Sequence, residues 1–112
     1  MKNIKINNFV ISNHNPFTLI VGPCVIESHD HALTIAENIK NICEETNTNF
    51  IFKASFDKAN RSNINSVRGV GLREAEGIFA EIKNNFECPI LTDVHNEFHC
   101  KEISNWGNLI DV

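Results

Sequence analysis

The sequence lacks any long apolar run, and no window reaches the roughly eighteen consecutive apolar residues from which a membrane-spanning helix is inferred. The amino-terminal residues, MKNIKINNFVISNHNP, contain neither the apolar segment nor the small-residue cleavage site of a signal peptide. We therefore expect a cytoplasmic protein with no membrane partner.

Closely spaced cysteine pairs are also missing. Cys24, Cys43, Cys88 and Cys100 lie far apart without a CxxC pair, so neither a disulfide framework nor a compact cysteine metal motif is indicated, and we expect reduced thiols. Cys43 falls on the apolar side of a predicted helix, where a small buried hydrophobe is the expected role. Cys24 differs because it follows Gly22 and Pro23 in a predicted loop.

Positive charge is scarce, since the formal net charge is −4. One segment, Lys53–Arg73, nevertheless holds five basic residues against the single acid Asp57, a local charge of +4. Nucleic-acid binding is disfavoured, because these basic residues are confined to one segment of an acidic chain without an aromatic platform. The segment instead indicates a small anionic ligand.

What the sequence does contain is an alternation of apolar runs and amphipathic stretches. Strands are predicted for the runs Phe17–Gly22, Asn49–Ala54, Pro89–Val94 and Asn108–Val112, and the first is expected to be buried on both faces. Helices are predicted between them over His29–Glu45, Gly71–Asn85 and Asn96–Trp106. Ser28 or Asp30 is the expected N-cap of the first helix, and Asn96 that of the third.

This alternation predicts an α/β fold with a parallel sheet. The first strand-to-helix turn reads GPCVIES rather than GxGxxG, which favours a (β/α)8 TIM barrel over an open dinucleotide-binding sheet. A complete barrel needs roughly 200 residues. We expect one domain with a lead-in segment at residues 1–16, and βα units at residues 17–112 that supply the first three units and the start of the fourth strand. We further expect this to be a fragment, inactive in isolation and prone to associate through open strand edges.

Chemically notable residues follow the predicted strands. Gly22-Pro23-Cys24, Lys53 and the run Thr92–His95 all fall at the carboxyl ends of strands, where α/β folds gather their binding groups. Lys53 and Lys58 by themselves fit surface lysines as well as a phosphate site. Asn60-Arg61-Ser62 then offers an amide, a guanidinium and a hydroxyl, a set suited to a phosphate monoester. The sequence predicts one site that binds phosphate.

Three motifs make this prediction specific. The segment SFDKANRSxIxSxRGxGL resembles the signature of the 3-deoxy-D-manno-octulosonate 8-phosphate synthase family, and GPCVIES and LTDVH resemble its first-strand and third-strand motifs. The resemblance covers the chain from about Phe17. Related seven-carbon synthases carry a K-P-R-T form where this chain has Lys58-Ala59-Asn60-Arg61, so the eight-carbon synthase is the closer match.

The resemblance implies a condensation of phosphoenolpyruvate with D-arabinose 5-phosphate, which yields the eight-carbon sugar acid phosphate and phosphate for lipopolysaccharide synthesis. It further implies roles at matched positions: Lys53 and Lys58 would hold phosphoenolpyruvate and polarise the aldehyde, Asp93 would face the sugar, and Asn60, Arg61 and Ser62 would bind the sugar phosphate. Read without the family, Asp93 fits a turn acceptor equally well, and His95 fits a structural loop histidine.

A divalent metal ion is implied as a cofactor, because cysteine at the position of Cys24 marks the metal-dependent class of the family. Its other ligands are expected from later strands, and we interpret His29, His31, His99 and Cys100 as surface residues. A homotetramer is implied as well. Two alternatives stay open: a seven-carbon or sialic-acid-type synthase, and a decayed remnant or phosphate-binding stub without turnover.

Overall fold

The computed structural model describes residues 2–57 and 69–112. Its elements follow in the order β1 (Ile4–Ile6), β2 (Phe9–Ile11), β3 (Leu19–Val21), α1 (His29–Glu45), β4 (Phe50–Lys53), α2 (Leu72–Phe86), β5 (Ile90–Leu91) and α3 (Glu97–Ser104). The predicted helices are confirmed, α1 with the same bounds, α2 displaced by one residue and α3 ending two residues earlier. Strands and helices thus alternate from β3 onward.

The sheet is parallel and its strands lie in sequence order, β3-β4-β5. β4 occupies the centre of this sheet, and its residues Phe50, Ile51 and Phe52 are all buried, as expected for a central parallel strand. Phe50 and Phe52 belong to the same core cluster as the buried residues of the helices. β3 forms an edge of the described sheet. Ile20 on this strand is 54% exposed, so the expectation that the Phe17–Gly22 run is buried on both faces is wrong for this chain.

The helices cover the sheet with narrow apolar faces. The buried residues of α1 are all small, whereas those of α2 include three large ones; together they are Ala32, Ala36, Cys43, Ala75, Ile78, Phe79 and Ile82. Ser28 accepts a hydrogen bond from the backbone N–H of His31 at 3.1 Å, which confirms it as the N-cap of α1. Asn96 caps α3 in the same way through the N–H of His99, at 2.8 Å. Sequence patterns therefore located both helix starts.

The amino-terminal lead-in contains an element that the sequence did not predict. β1 and β2 pair as an antiparallel hairpin around Asn7, whose φ of +54° lies in the left-handed region that asparagine tolerates. Phe9 of this hairpin, Cys43 and Cys88 are among the residues that line a cleft of about 200 Å³. Burial raises the pKa of the Cys43 thiol, and raises that of Cys88 to about 11. Both thiols are thus packing groups rather than nucleophiles.

The predicted fourth strand over Asn108–Val112 does not form. The backbone N–H groups of Asp111 and Val112 both donate to the carbonyl oxygen of Ile90, at 2.9 and 3.3 Å, so a strand ladder with alternating partners is not established. Side chains hold this segment instead. Lys83 Nζ donates to Asp111 Oδ2 at 2.7 Å and to the carbonyls of Asn108 and Leu109, while Asp111 Oδ2 also accepts the N–H of Ile90.

These features establish a small parallel α/β domain. Parallel strands in sequence order with intervening helices are compatible with the start of a TIM barrel, in which every strand pairs with its sequence neighbours. Closure into a barrel stays a proposal. Within residues 2–57 and 69–112, no helix is long and apolar enough to cross a membrane.

A pH-dependent contact joins α1 to α2. His29 Nδ1 lies 2.9 Å from Asp30 Oδ1, and His29 Nε2 lies 2.6 Å from Glu81 Oε2. Hydrogen bonds to Asp30 and Glu81 raise the pKa of His29 above its ordinary value of 6.5. A pKa that is higher in the folded state than in the unfolded state stabilises the fold. This stabilisation is complete at a pH below the unfolded-state pKa and is lost as the pH rises through the folded-state pKa.

We therefore expect His29→Gln to lower the free energy of unfolding more at about pH 5.5 than at about pH 8.5, as measured by urea denaturation. Glu81→Gln removes one carboxylate partner and should flatten this pH dependence. Added salt should weaken it, because the pair is exposed to solvent. An equal loss at both pH values would refute this account of His29.

Candidate functional site

Backbone pairing brings the loop after β3 against the end of β4. The N–H of Ser55 donates to the carbonyl oxygen of Cys24 at 3.2 Å, and the N–H of Ile26 donates to that of Ser55 at 2.9 Å. Gly22 lies so close to β4 that an added Cβ would stand 1.9 Å from the carbonyl oxygen of Lys53. Only glycine fits this approach, so the GPC sequence has a structural requirement in addition to any chemical one.

Side chains then join the end of β4 to the loop after β5. Thr92 Oγ1 donates to the carbonyl oxygen of Ala54 at 2.8 Å, and Ser55 Oγ donates to Asp93 Oδ1 at 2.5 Å. A third bond runs from His95 Nε2 to the carbonyl oxygen of Asp57 at 2.9 Å. The residues after β3, β4 and β5 thus meet at one end of the sheet, as the sequence predicted for parallel strands.

Ser55 is the residue that sequence reasoning missed. It is buried, at 8% exposure, and its backbone pairs with the loop after β3 while its hydroxyl reaches Asp93 in the loop after β5. A donor fixed on one carboxylate oxygen restricts rotation of the Asp93 side chain. The available signal was its position as the first residue of the SFDKANRS segment, directly after a predicted strand, although the charged residues of that segment are the more evident candidates.

Four of the predicted site residues, one catalytic and three substrate-binding, lie outside the described part of the chain. These are Lys58, Asn60, Arg61 and Ser62. The residues on either side pack together, since the N–H of Gly71 donates to the carbonyl oxygen of Phe56 at 3.0 Å and that of Val70 to the carbonyl oxygen of Ile26 at 3.1 Å. Gly69 therefore lies beside Phe56, next to the other two loops.

The three remaining predicted residues occupy the same end of the sheet. Lys53 is the last residue of β4 and is exposed, Cys24 is exposed in the loop after β3, and Asp93 is half-buried beside Ser55. A cation, a thiol and a carboxylate are thereby carried by adjacent strand ends. Such a set can bind an anionic substrate through Lys53 and hold a hydroxyl through Asp93.

The described residues do not supply a complete donor set for a metal ion. Among residues 2–57 and 69–112, no group of three or more histidine, cysteine or acidic side chains is placed to hold a metal ion. A structural or catalytic site needs three or four ligands. The exposed Cys24 thiol can contribute one of them, and the described residues do not supply the others.

Two histidines extend this region toward α3. The ring of His99 packs edge-on against Phe56 with centroids 4.9 Å apart, and its Nδ1 accepts the backbone N–H of His95 at 3.2 Å. Interpreted from the sequence as a surface residue, His99 is half-buried, because Phe56 and His95 in the loops after β4 and β5 pack against its ring. His29, His31 and Cys100 are exposed as expected.

Comparison with known proteins identifies the family of this chain. The sequence profile described as the DAHP synthetase I family matches residues 2–112. The chain belongs to that family. The matched range includes all the described α/β elements and the three strand-end loops.

Relatives within the family carry a more specific name. A 2-dehydro-3-deoxyphosphooctonate aldolase of Bartonella quintana (strain Toulouse) is 48% identical over 97% of this chain, and those of Bartonella henselae and Rickettsia felis are 46% and 43% identical over 97% and 99% of it. The match covers 38%, 39% and 40% of these relatives, so the chain spans about two fifths of their length.

Proposed function

We propose that this chain forms part of an enzyme that condenses phosphoenolpyruvate with D-arabinose 5-phosphate to 3-deoxy-D-manno-octulosonate 8-phosphate and phosphate, for lipopolysaccharide synthesis. The observation that carries the proposal is the 48% identity to a 2-dehydro-3-deoxyphosphooctonate aldolase along 97% of the chain. The meeting of Cys24, Lys53 and Asp93 at one end of the sheet supports it.

The proposed reaction requires positive charge and exclusion of water around two phosphorylated substrates. The methylene carbon of phosphoenolpyruvate forms a bond to the aldehyde carbon of the sugar, whose oxygen takes up a proton. Water adds to the neighbouring carbon of phosphoenolpyruvate. The resulting intermediate loses inorganic phosphate by cleavage of its carbon–oxygen bond, which leaves the keto acid product and completes the atom balance.

The residues have separate proposed roles in this reaction. Lys53 and Lys58 bind phosphoenolpyruvate and polarise the aldehyde, and Asp93, oriented by Ser55, contacts the sugar. Asn60, Arg61 and Ser62 bind the phosphate of arabinose 5-phosphate, with the guanidinium offering paired donors to its oxygens. The TIM barrel, the homotetramer and the cytoplasmic location belong to the same proposal.

Cys24 is proposed as one ligand of a divalent metal ion. Its thiol is exposed at the end of the sheet where Lys53 and Asp93 lie, which is the placement such a role requires. A bound divalent ion would supply positive charge toward a developing oxyanion. Lys53 and Asp93 act on the substrates directly in this proposal.

A hybrid synthase tests the proposal, in which residues 1–112 replace the matching segment of the Bartonella quintana relative. We expect it to release phosphate from phosphoenolpyruvate with arabinose 5-phosphate and to form the eight-carbon product, detected by mass spectrometry. The unmodified relative is the positive control. Release of phosphate with erythrose 4-phosphate or with an amino sugar instead would assign the chain to a seven-carbon or sialic-acid-type synthase.

The same assay on the hybrid synthase addresses the non-enzyme alternative. A hybrid synthase that folds but forms no product with any of these aldehydes would favour a decayed remnant or a phosphate-binding stub. The sequence Lys58-Ala59-Asn60-Arg61 favours arabinose 5-phosphate over the shorter sugar phosphate, because it departs from the K-P-R-T form of the seven-carbon synthases.

A further inference from the structure

We infer that His99 is a positioning residue, which orients His95 so that the His95 ring fixes the chain at Asp57, where the predicted phosphate-binding sequence begins. This inference deepens the proposed function and its kinetic part rests on it. The geometry comes from contacts among Phe56, Asp57, His95 and His99.

Each hydrogen bond determines whether one ring nitrogen carries a proton. A carbonyl oxygen can only accept, so the bond between His95 Nε2 and the Asp57 oxygen, at 2.9 Å, requires a proton on His95 Nε2. A backbone N–H can only donate, so His99 Nδ1, 3.2 Å from the His95 nitrogen, must lack a proton. The two bonds thus require a proton on His95 Nε2 and none on His99 Nδ1.

Ring contacts fix the positions of the two histidines beside Phe56, which follows β4. Phe56 lies 4.9 Å from the His99 ring at an interplanar angle of 87° and 5.9 Å from the His95 ring, and the two histidine rings are 5.8 Å apart. Phe56 is itself buried, at 1% exposure, and therefore gives both rings a fixed support. The aromatic contacts restrict the two imidazoles to the orientations that the hydrogen bonds need.

A local capping role is the competing explanation for His99. Its backbone N–H binds the Asn96 side chain while its ring binds the residue before that cap, an arrangement related to a capping box. Capping alone would stabilise the start of α3. It would not place Asp57, which lies 38 residues before His95 along the chain.

The first experiment uses the 112-residue chain and records the imidazole tautomers by long-range nitrogen–proton NMR. We expect the Nε2–H tautomer at His95 and an unprotonated Nδ1 at His99. His99→Leu should abolish the single tautomer at His95, and His99→Asn, which places an amide oxygen near the position of Nδ1, should restore it. His31→Leu is the matched control on an exposed histidine of α1. An unchanged His95 tautomer in His99→Leu would overturn the inference.

The second experiment measures kinetics in the hybrid synthase. Loss of one hydrogen bond should raise the KM for arabinose 5-phosphate about fivefold in His99→Leu, with a smaller change in kcat and in the KM for phosphoenolpyruvate. If His99 acts through His95, adding His95→Phe should give no further loss beyond that of His95→Phe alone. Independent, multiplying losses would indicate capping only and overturn the inference.

These outcomes separate the inference from the proposed function. A hybrid synthase with no condensation activity would contradict the proposed function, while the NMR experiment would still decide whether His99 orients His95. Full activity with an unchanged KM in His99→Leu would contradict the positioning role alone.

Discussion

Gly22→Ala should destabilise the 112-residue chain by about 3 kcal/mol, the upper end for overpacking, because the added methyl group has no space to occupy. Its Cβ would lie 1.9 Å from the carbonyl oxygen and 2.8 Å from the carbonyl carbon of Lys53. Backbone atoms cannot rotate away as a flexible side chain would, so β3 and β4 must separate. Chemical denaturation followed by circular dichroism measures the loss.

Gly77→Ala is the matched control for this substitution. Gly77 lies within α2 and an added Cβ there meets nothing within 4 Å. Alanine also has the higher helix propensity, so a gain of about 0.5–1 kcal/mol is expected. A Gly22→Ala chain as stable as the parent would mean that the loop after β3 is not held against Lys53 as described.

Asp93→Asn should lower kcat/KM for arabinose 5-phosphate about a hundredfold in the hybrid synthase, the magnitude of a lost hydrogen bond to a charged group. The substitution removes the charge but keeps an oxygen that can accept the Ser55 hydroxyl, now at 2.5 Å from Asp93 Oδ1. The fold of the loop is therefore preserved while the proposed contact to the sugar is weakened. Steady-state phosphate release with varied sugar concentration provides the measurement.

Glu37→Gln is the control for the charge change, because Glu37 is exposed on α1 and away from the strand ends. It should leave kcat/KM unaltered. An Asp93→Asn enzyme within about threefold of the parent would favour the other interpretation of Asp93, an acceptor that only shapes its turn.

The elements that the sequence predicted well are those with a strong local cause. β4 is a continuous apolar run because both of its faces are buried, and Ser28 and Asn96 supply N-cap oxygens directly before apolar periodicity begins. The positions of Lys53 and Asp93 at neighbouring strand ends followed from parallel topology alone. None of these inferences required knowledge of a distant contact.

The elements that the sequence did not predict depend on distant partners. The β1–β2 hairpin has strands of only three residues each, without a clear alternating pattern. The Ser55 hydroxyl binds Asp93, which lies 38 residues further along the chain. The His99 ring packs against Phe56, which is also remote in sequence. The roles of Lys58, Asn60, Arg61 and Ser62 remain sequence-based proposals.

The Lys83–Asp111 contact has a consequence for the outer edge of β5. Asp111 Oδ2 accepts the N–H of Ile90 at 2.9 Å, and the Ile90 carbonyl accepts the N–H groups of Asp111 and Val112, so a side chain and a short backbone segment occupy this edge where a neighbouring strand would pair. Protection of the Ile90 amide against hydrogen exchange thus depends on docking of residues 108–112. That amide should exchange by local opening, well before the amides of β4, and its rate reports how tightly the segment is held.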